Sequence, residues 1–144
     1  IIDDYAHHPI EIRTVIEAAK QATQGRIWVI MQPHRYSRLH HLFQDFSQCF
    51  SGVHHVILAP VYSANEDPIP GATSEHLAKA LGKNNVPTTL FYNPEELAPL
   101  LHGSVARGDM ILCLGAGNIT QWASALPTQL ESLGISSLKQ EQIV

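Results

Sequence analysis

The sequence predicts an α/β fold, a three-layer Rossmann-like domain with a mostly parallel sheet and helices on both faces. Three observations predict it. Short apolar runs alternate with segments of helical period about five times along the chain, the pattern that right-handed β-α-β crossovers produce. The runs "RIWVIMQ" and "DMILCLG" are apolar throughout instead of alternating, as strands buried on both faces are. Four polar clusters, "DDYAHH", "QPHRYSR", "VYSANED" and "GAGN", each follow a strand and precede a helix. That places them together at the carboxyl edge of the sheet, where open α/β sheets bind ligands.

Ile1–Asp4 reads as the end of a strand. Pro9 suits a first helical turn, where its missing N–H leaves nothing unpaired. Ile12, Val15, Ile16 and Ala19 recur at helical spacing, so Pro9–Thr23 is expected to be an amphipathic helix stopped by Gly25. Arg26–Gln32 is a buried strand, and "PHRYSR" the loop after it. Leu39, Leu42, Phe43, Phe46, Cys49 and Phe50 form one apolar stripe, which predicts a single helix. His54–Pro60 is the next strand, followed by a long loop over Val61–Ala72. Thr73 or Ser74 can cap a helix through Leu81.

Thr88–Tyr92 is a strand, and Asn93-Pro94-Glu95-Glu96 reads as a cap, a first-turn proline and a capping-box acid. Pro99 should shorten or kink that helix. Asp109–Gly115 is a strand, and Asn118 is expected to cap a last helix, through Trp122 to Leu126, that Pro127 interrupts. The domain therefore covers 1–134, and the polar tail over 135–144 is expected to fray.

At 144 residues the chain is long enough for a core without staples. A net charge of −4 without any run of Lys or Arg argues against a nucleic-acid or membrane-surface partner. No apolar run is long enough to span a bilayer. Cys49 falls on a helical pattern and Cys113 on a strand, the placement of buried thiols. The start at Ile-Ile is expected of a domain cut from a longer chain.

The candidate site residues come from the four clusters. Arg35 and Arg38, three apart at the start of a helix, oppose its dipole. Either they and free backbone N–H groups hold a carboxylate or phosphate, or they are solvated and pair with nearby acids. His7 is read as a ligand contact. No histidine pair has the i, i+4 spacing with an acid that a zinc site needs, so no metal is expected. His40–His41 and His54–His55 fall away from the expected site. Asp3 or Asp4 at a strand end can cap a turn or accept from ribose hydroxyls. Gly115 and Gly117 allow close backbone approach by a ligand, or simply a tight turn.

"DDYAHHP", "QPHRYSR", "YSANEDPIPGATS" and "GAGNI", in that order from Ile1 to Leu126, resemble the C-terminal domain of the Mur ligases of peptidoglycan synthesis. The "PHRYSR" run points to the branch that joins L-alanine to UDP-N-acetylmuramate. The related ligase that attaches a recycled tripeptide is the alternative within the family. The resemblance implies a cytoplasmic bacterial enzyme of three domains, with ATP and magnesium ions on a central domain. The muramate carboxylate is phosphorylated, and the alanine amine attacks the acyl phosphate. His7, Arg35 and Arg38, supported by Tyr5 and His34, would hold L-alanine, and Asp4 would contact the ATP ribose. Gly115, Gly117 and Asn118 remain a possible ligand turn. No G-x-x-x-x-G-K-[ST] loop is present, so this chain alone is expected to bind no cofactor tightly and to be inactive. A small-anion-binding module without chemistry is the reading from another class.

Overall fold

The computed structural model describes residues 1–135 and 138–143. Six strands form one sheet: β1 (Ile2–Asp4), β2 (Ile27–Met31), β3 (His55–Leu58), β4 (Thr88–Leu90), β5 (Met110–Leu114) and β6 (Glu141–Ile143). Their spatial order is β4-β3-β2-β5-β1-β6, and every pairing is parallel. The helices are α1 (Pro9–Ala22), α2 (Tyr36–His41), α3 (Phe43–Gln48), α4 (Ser74–Lys83), α5 (Leu97–Leu101) and α6 (Ile119–Ser132).

The central strands β2 and β5 are buried on both sides, which is why their sequences do not alternate. Their odd and even positions serve different cores. Val29, Met31, Leu112 and Leu114 meet Ile12 and Ile16 of α1, Leu39 of α2, Phe46 of α3, and Leu77 and Leu81 of α4. Trp28, Ile30, Ile111 and Cys113 meet Leu97 and Leu101 of α5 and Ile119, Ala123 and Leu126 of α6. Two helical layers thus sandwich the sheet, as the sequence predicts. Both cysteines are buried, and burial pushes each thiol up to about 12.

Several local expectations change. The stripe from Leu39 to Phe50 belongs to two short helices that meet at Leu42, whose backbone (φ −111°, ψ 20°) leaves helical geometry. The break keeps Leu39, Phe46, Cys49 and Phe50 all within 1 % exposure. Helix α1 ends on Thr23 in an extended conformation, not on Gly25. Gly25 is instead small because a methyl there would lie 2.0 Å from the Gly108 carbonyl oxygen. Asn93 makes no side-chain cap; Glu96 accepts from the Tyr92 N–H and from Asn93 Nδ2, and a 3-10 turn at Pro94–Glu96 leads into α5. With Pro99 in it, α5 is only five residues long.

Pro127 does not interrupt the last helix. Helix α6 runs through it. A helical proline leaves the carbonyl four residues back without its N–H partner, here Ala123, and Gln140 Nε2 donates to that oxygen at 3.2 Å. Of the tail 135–144 expected to fray, residues 136, 137 and 144 lie outside the described ones; the others have fixed points. Ile135 and Leu138 pack on the α5–α6 core, and Glu141–Ile143 pairs with β1.

At the amino edge of the sheet, Asp109 and Arg26, just ahead of β5 and β2, tie those strands together. The Asp109 side chain is 6 % exposed. It accepts from the Arg26 N–H (2.9 Å), Nε (3.1 Å) and Nη2 (2.7 Å), from Trp28 Nε1 (3.2 Å) and from the Ala106 N–H (2.9 Å).

Candidate functional site

All six parallel strands point the same way, so the loops after β1, β2, β3 and β5 share one edge. Each loop is held there by its own backbone and side-chain bonds. After β1, the Asp4 carboxylate accepts the Ala6 N–H at 2.8 Å and folds the chain back. Asp4 Oδ2 makes no hydrogen bond among the described residues, whereas Asp3 points inward at 5 % exposure. Burial, more than the Thr120 bond or the Asp4 charge, sets the direction for Asp3, whose carboxyl is raised above its ordinary value.

His7 and His8 then part company. His8 caps α1, accepting from the Ile10 N–H, while the Glu11 carboxylate accepts from the N–H groups of His7 and His8. His7 faces the site. Its Nδ1 lies 2.9 Å from the Tyr5 carbonyl oxygen, which can only accept. The Nδ1 proton is therefore in place, and in the neutral ring Nε2 carries the lone pair. The Tyr5 ring meets His7 edge-on at 5.2 Å and is 65 % exposed.

After β2, His34 comes within 5.8 Å of the His7 ring. Arg38 Nη1 donates to the His34 carbonyl oxygen at 3.0 Å and lies 3.2 Å from His34 Nδ1. A guanidinium only donates, so His34 Nδ1 is an acceptor and its proton sits on Nε2. The two histidines thus present opposite faces, a donor at His34 and an acceptor at His7. Burial first, then the charges of Arg38, His7 and Arg35, lowers the His34 pKa below its ordinary value. A neutral ring at pH 7 is what the Arg38 contact requires.

Arg35 stands just ahead of α2 with φ 72°, a left-handed backbone that costs a side-chain-bearing residue of order 1–3 kcal/mol. Its N–H donates to the Tyr62 carbonyl oxygen at 2.8 Å, which holds the conformation. An acid of the protein's own also stands at this helix start. Glu66 accepts from the Ser37 N–H (3.0 Å) and Ser37 Oγ (2.6 Å) and lies 3.9 Å from Arg35 Nη1. Helix α2 is also only six residues long. Any ligand role for Arg35 rests on its half-exposed guanidinium, not on free helix N–H groups.

The turn after β5 packs closely for a reason the sequence did not show. Gly115 has φ 153°. Gly117 needs space: a methyl on it would lie 2.5 Å from Gln32 Oε1 and 2.8 Å from Tyr62 Cγ. On that side the close approach serves the protein's own side chains. Asn118 stands at the start of α6 but makes no cap; its Oδ1 accepts from Gln32 Nε2 at 2.7 Å. Gly117→Ala should push Tyr62 and Gln32 apart and destabilise the fold by about 1–3 kcal/mol, read in urea unfolding. A neutral substitution there would refute the packing.

The structure thus gathers Tyr5, His7, His34, Arg35 and Arg38 within one face, with Asp4, Gly115, Gly117 and Asn118 along the same edge. Sequence reasoning missed Gln32, Tyr62 and Glu66. The only available signal was their position within strand-following clusters. Among the described residues no group of three or more His, Cys, Asp or Glu is placed to hold a metal, and no helix is long and apolar enough to cross a membrane.

Residues 1–117 match the family model described as Mur ligase, glutamate ligase domain. The UDP-N-acetylmuramate–L-alanine ligase of Azorhizobium caulinodans is 53 % identical over 135 residues, which are 93 % of this chain and 29 % of that protein. Its counterpart in Maricaulis maris is 49 % identical over 134 residues, again 93 % of this chain and 29 % of the relative. The chain therefore spans less than a third of the curated relatives it matches. Among solved structures, the UDP-N-acetylmuramate-alanine ligase of Thermotoga maritima superposes with a TM-score of 0.70 at 25 % identity, over 91 % of this chain and 26 % of that one. With the carboxyl-edge cluster, the order of the strands and the matched residues all in agreement, the chain belongs to the Mur ligase, glutamate ligase domain family.

Proposed function

We propose that this chain is the C-terminal, amino-acid-holding domain of an ATP-dependent ligase that joins L-alanine to UDP-N-acetylmuramate in peptidoglycan synthesis, in the bacterial cytoplasm. The observation that carries the reading is the group of His7, His34, Arg35 and Arg38 at the carboxyl edge, with an exposed guanidinium beside a histidine donor and a histidine acceptor. An amino acid offers the complementary set, a carboxylate and an ammonium. Arg35 and Arg38 take the carboxylate, helped by the His34 Nε2–H. The His7 Nε2 lone pair accepts from the amine, and Tyr5 borders it. Asp4 Oδ2 is the acceptor for the ATP ribose, and the turn at Gly115, Gly117 and Asn118 lies next to it.

ATP, with magnesium, supplies the phosphoryl group that activates the muramate carboxylate; its phosphates and the metal are held by parts of the protein outside this chain, and only its ribose meets Asp4. What these residues contribute is positioning: they fix the amine in line with the activated carbon and exclude water when the domains close. The names of the relatives near 50 % identity and the "PHRYSR" run favour L-alanine addition over attachment of a recycled tripeptide.

The test is phosphate release by the whole protein. It should require ATP, magnesium, UDP-N-acetylmuramate and L-alanine together, and the 144-residue chain alone should release none. Release that ignores L-alanine would defeat the acceptor assignment. Binding of L-alanine with no release under any combination would favour a small-anion module.

A further inference from the structure

The loop between β3 and α4 backs this face, and the reading above gives its residues no role. Tyr62 stacks on His34, with ring centroids 5.2 Å apart and planes 15° from parallel. Its backbone is clamped to the His34 segment from both sides: the Tyr62 N–H donates to the Pro33 carbonyl oxygen at 2.8 Å, and the Tyr62 carbonyl accepts from the Arg35 N–H at 2.8 Å. On its other side the ring rests where Gly117 has no Cβ. Tyr62 thus has little freedom, and it passes that constraint to His34.

Four residues further on, Glu66 reaches the other end of the site. Its carboxylate takes both the backbone N–H and the hydroxyl of Ser37, and these two bonds hold it below the usual carboxylate range. Its Oε1 faces Arg35 Nη1 at 3.9 Å, and the Arg35 side chain is 50 % exposed. Among the described residues Glu66 is the acid paired with Arg35. An arginine on a long stem in water samples many rotamers, and a fixed carboxylate behind it narrows that set. Glu66 is itself fixed, because Ser37 belongs to the first turn of α2.

We propose that Glu66 is a positioning residue that aims Arg35 at the carboxylate of the incoming amino acid, while Tyr62 sets the plane of His34 beside it. The inference rests on the acceptor-site reading above. A second role for Glu66, capping α2 through Ser37, is purely structural, and one substitution separates the two. In Glu66→Gln the remaining side-chain oxygen can still accept from the Ser37 N–H while the new amide donates to Ser37 Oγ, which accepts in turn, but the charge facing Arg35 is gone.

The experiment uses the full-length protein with L-alanine, ATP and UDP-N-acetylmuramate, and measures Michaelis constants and the unfolding midpoint. Glu66→Gln should raise the constant for L-alanine about three- to fivefold, the scale of a half-exposed ion pair, and leave the constant for ATP and the midpoint unchanged. In an Arg35→Ala background the same change should add nothing, because its target is missing. Tyr62→Phe keeps the stacked ring and should behave as the parent, whereas Tyr62→Leu should raise the constant for L-alanine.

An unchanged constant in Glu66→Gln would overturn the proposal. So would an equal loss in the Arg35→Ala background. A lowered constant would show Glu66 competing with the substrate carboxylate and would also overturn it. If Arg35→Ala itself leaves L-alanine binding intact, the acceptor reading falls as well. If Arg35→Ala weakens it and Glu66→Gln does not, only the present inference falls.

Discussion

Replacing Arg35 or Arg38 by alanine in the whole protein should raise the Michaelis constant for L-alanine about tenfold or more, with a far smaller effect on that for ATP. A hydrogen bond to a charged group contributes roughly 1.5–3 kcal/mol, and 1.4 kcal/mol is a factor of ten. The two arginines should fail in different ways. Arg38 donates to both Nδ1 and the carbonyl of His34, so its loss also frees the histidine that presents the neighbouring donor. Arg35 touches Glu66 and little else, so its loss removes one contact cleanly.

The φ of 72° at Arg35 sharpens the prediction. Glycine adopts that conformation without penalty. Arg35→Gly should therefore lose L-alanine binding as Arg35→Ala does while leaving the unfolding midpoint at or above that of the alanine variant. A glycine variant less stable than the alanine one would show that the backbone at this position carries no strain. Equal effects of the arginine substitutions on L-alanine and ATP would remove the carboxylate clamp altogether.

The second large effect lies at the opposite edge of the sheet. Asp109→Ala should destabilise the fold by about 2–3 kcal/mol in urea unfolding at neutral pH. Arg26 is 40 % exposed and keeps water as a partner, so the loss is that of the carboxylate's own bonds: the Trp28 indole N–H and two backbone N–H groups lose their acceptor along with the guanidinium. Burial alone would raise the Asp109 pKa, but the bonds from Arg26, Ala106 and Trp28 outweigh it and hold the carboxyl at about 2.

The sign of the pH dependence follows. The folded value lies below the ordinary 3.8, so the unfolded chain binds the proton more readily. The stabilisation is fully present above pH 4 and is lost as the pH falls toward 2, and it amounts to roughly 2 kcal/mol. Asp109→Ala should flatten that part of the acid-unfolding curve. An unchanged curve would mean that the carboxylate contributes nothing to stability. Catalytic constants of the folded variant should not move, because Asp109 sits at the amino edge, away from the face that holds His7 and Arg35.

Much of this architecture is legible in the sequence. The apolar runs of β2 and β5 announce strands buried on both faces, and the spacing of Ile12, Ile16 and Ala19 announces the face that α1 lays on the sheet. Parallel strands force their carboxyl ends onto one edge, so "DDYAHH" and "QPHRYSR" had to share that edge; the strand order, with β5 between them, then brings the His7 and His34 rings to 5.8 Å. The residues that fell outside this logic did so for local reasons. Asn118 looks like a helix cap in sequence, but Gln32, just past the end of β2, outcompetes the backbone for its oxygen. Pro127 looks like a stop, but Gln140, beyond the helix, takes up the carbonyl that proline abandons. Polarity alone made the tail read as frayed, because pairing with β1 uses backbone groups and leaves no mark on side-chain pattern.

What the amino-acid order determined by itself is therefore the layer architecture and the residue types gathered at the carboxyl edge, since hydrophobic period and strand direction are local properties that add up along the chain. Which atoms face one another was decided only by the tertiary structure. The lone pair of His7 and the proton of His34 are set by a carbonyl and a guanidinium. The carboxylate that meets Ser37 and Arg35, Glu66, is brought from a different loop, and Gly117 is small because Tyr62 needs its space. Each of these depends on contacts between loops whose relative positions are set by the packed sheet, and a contact between distant loops has no period for a sequence to display.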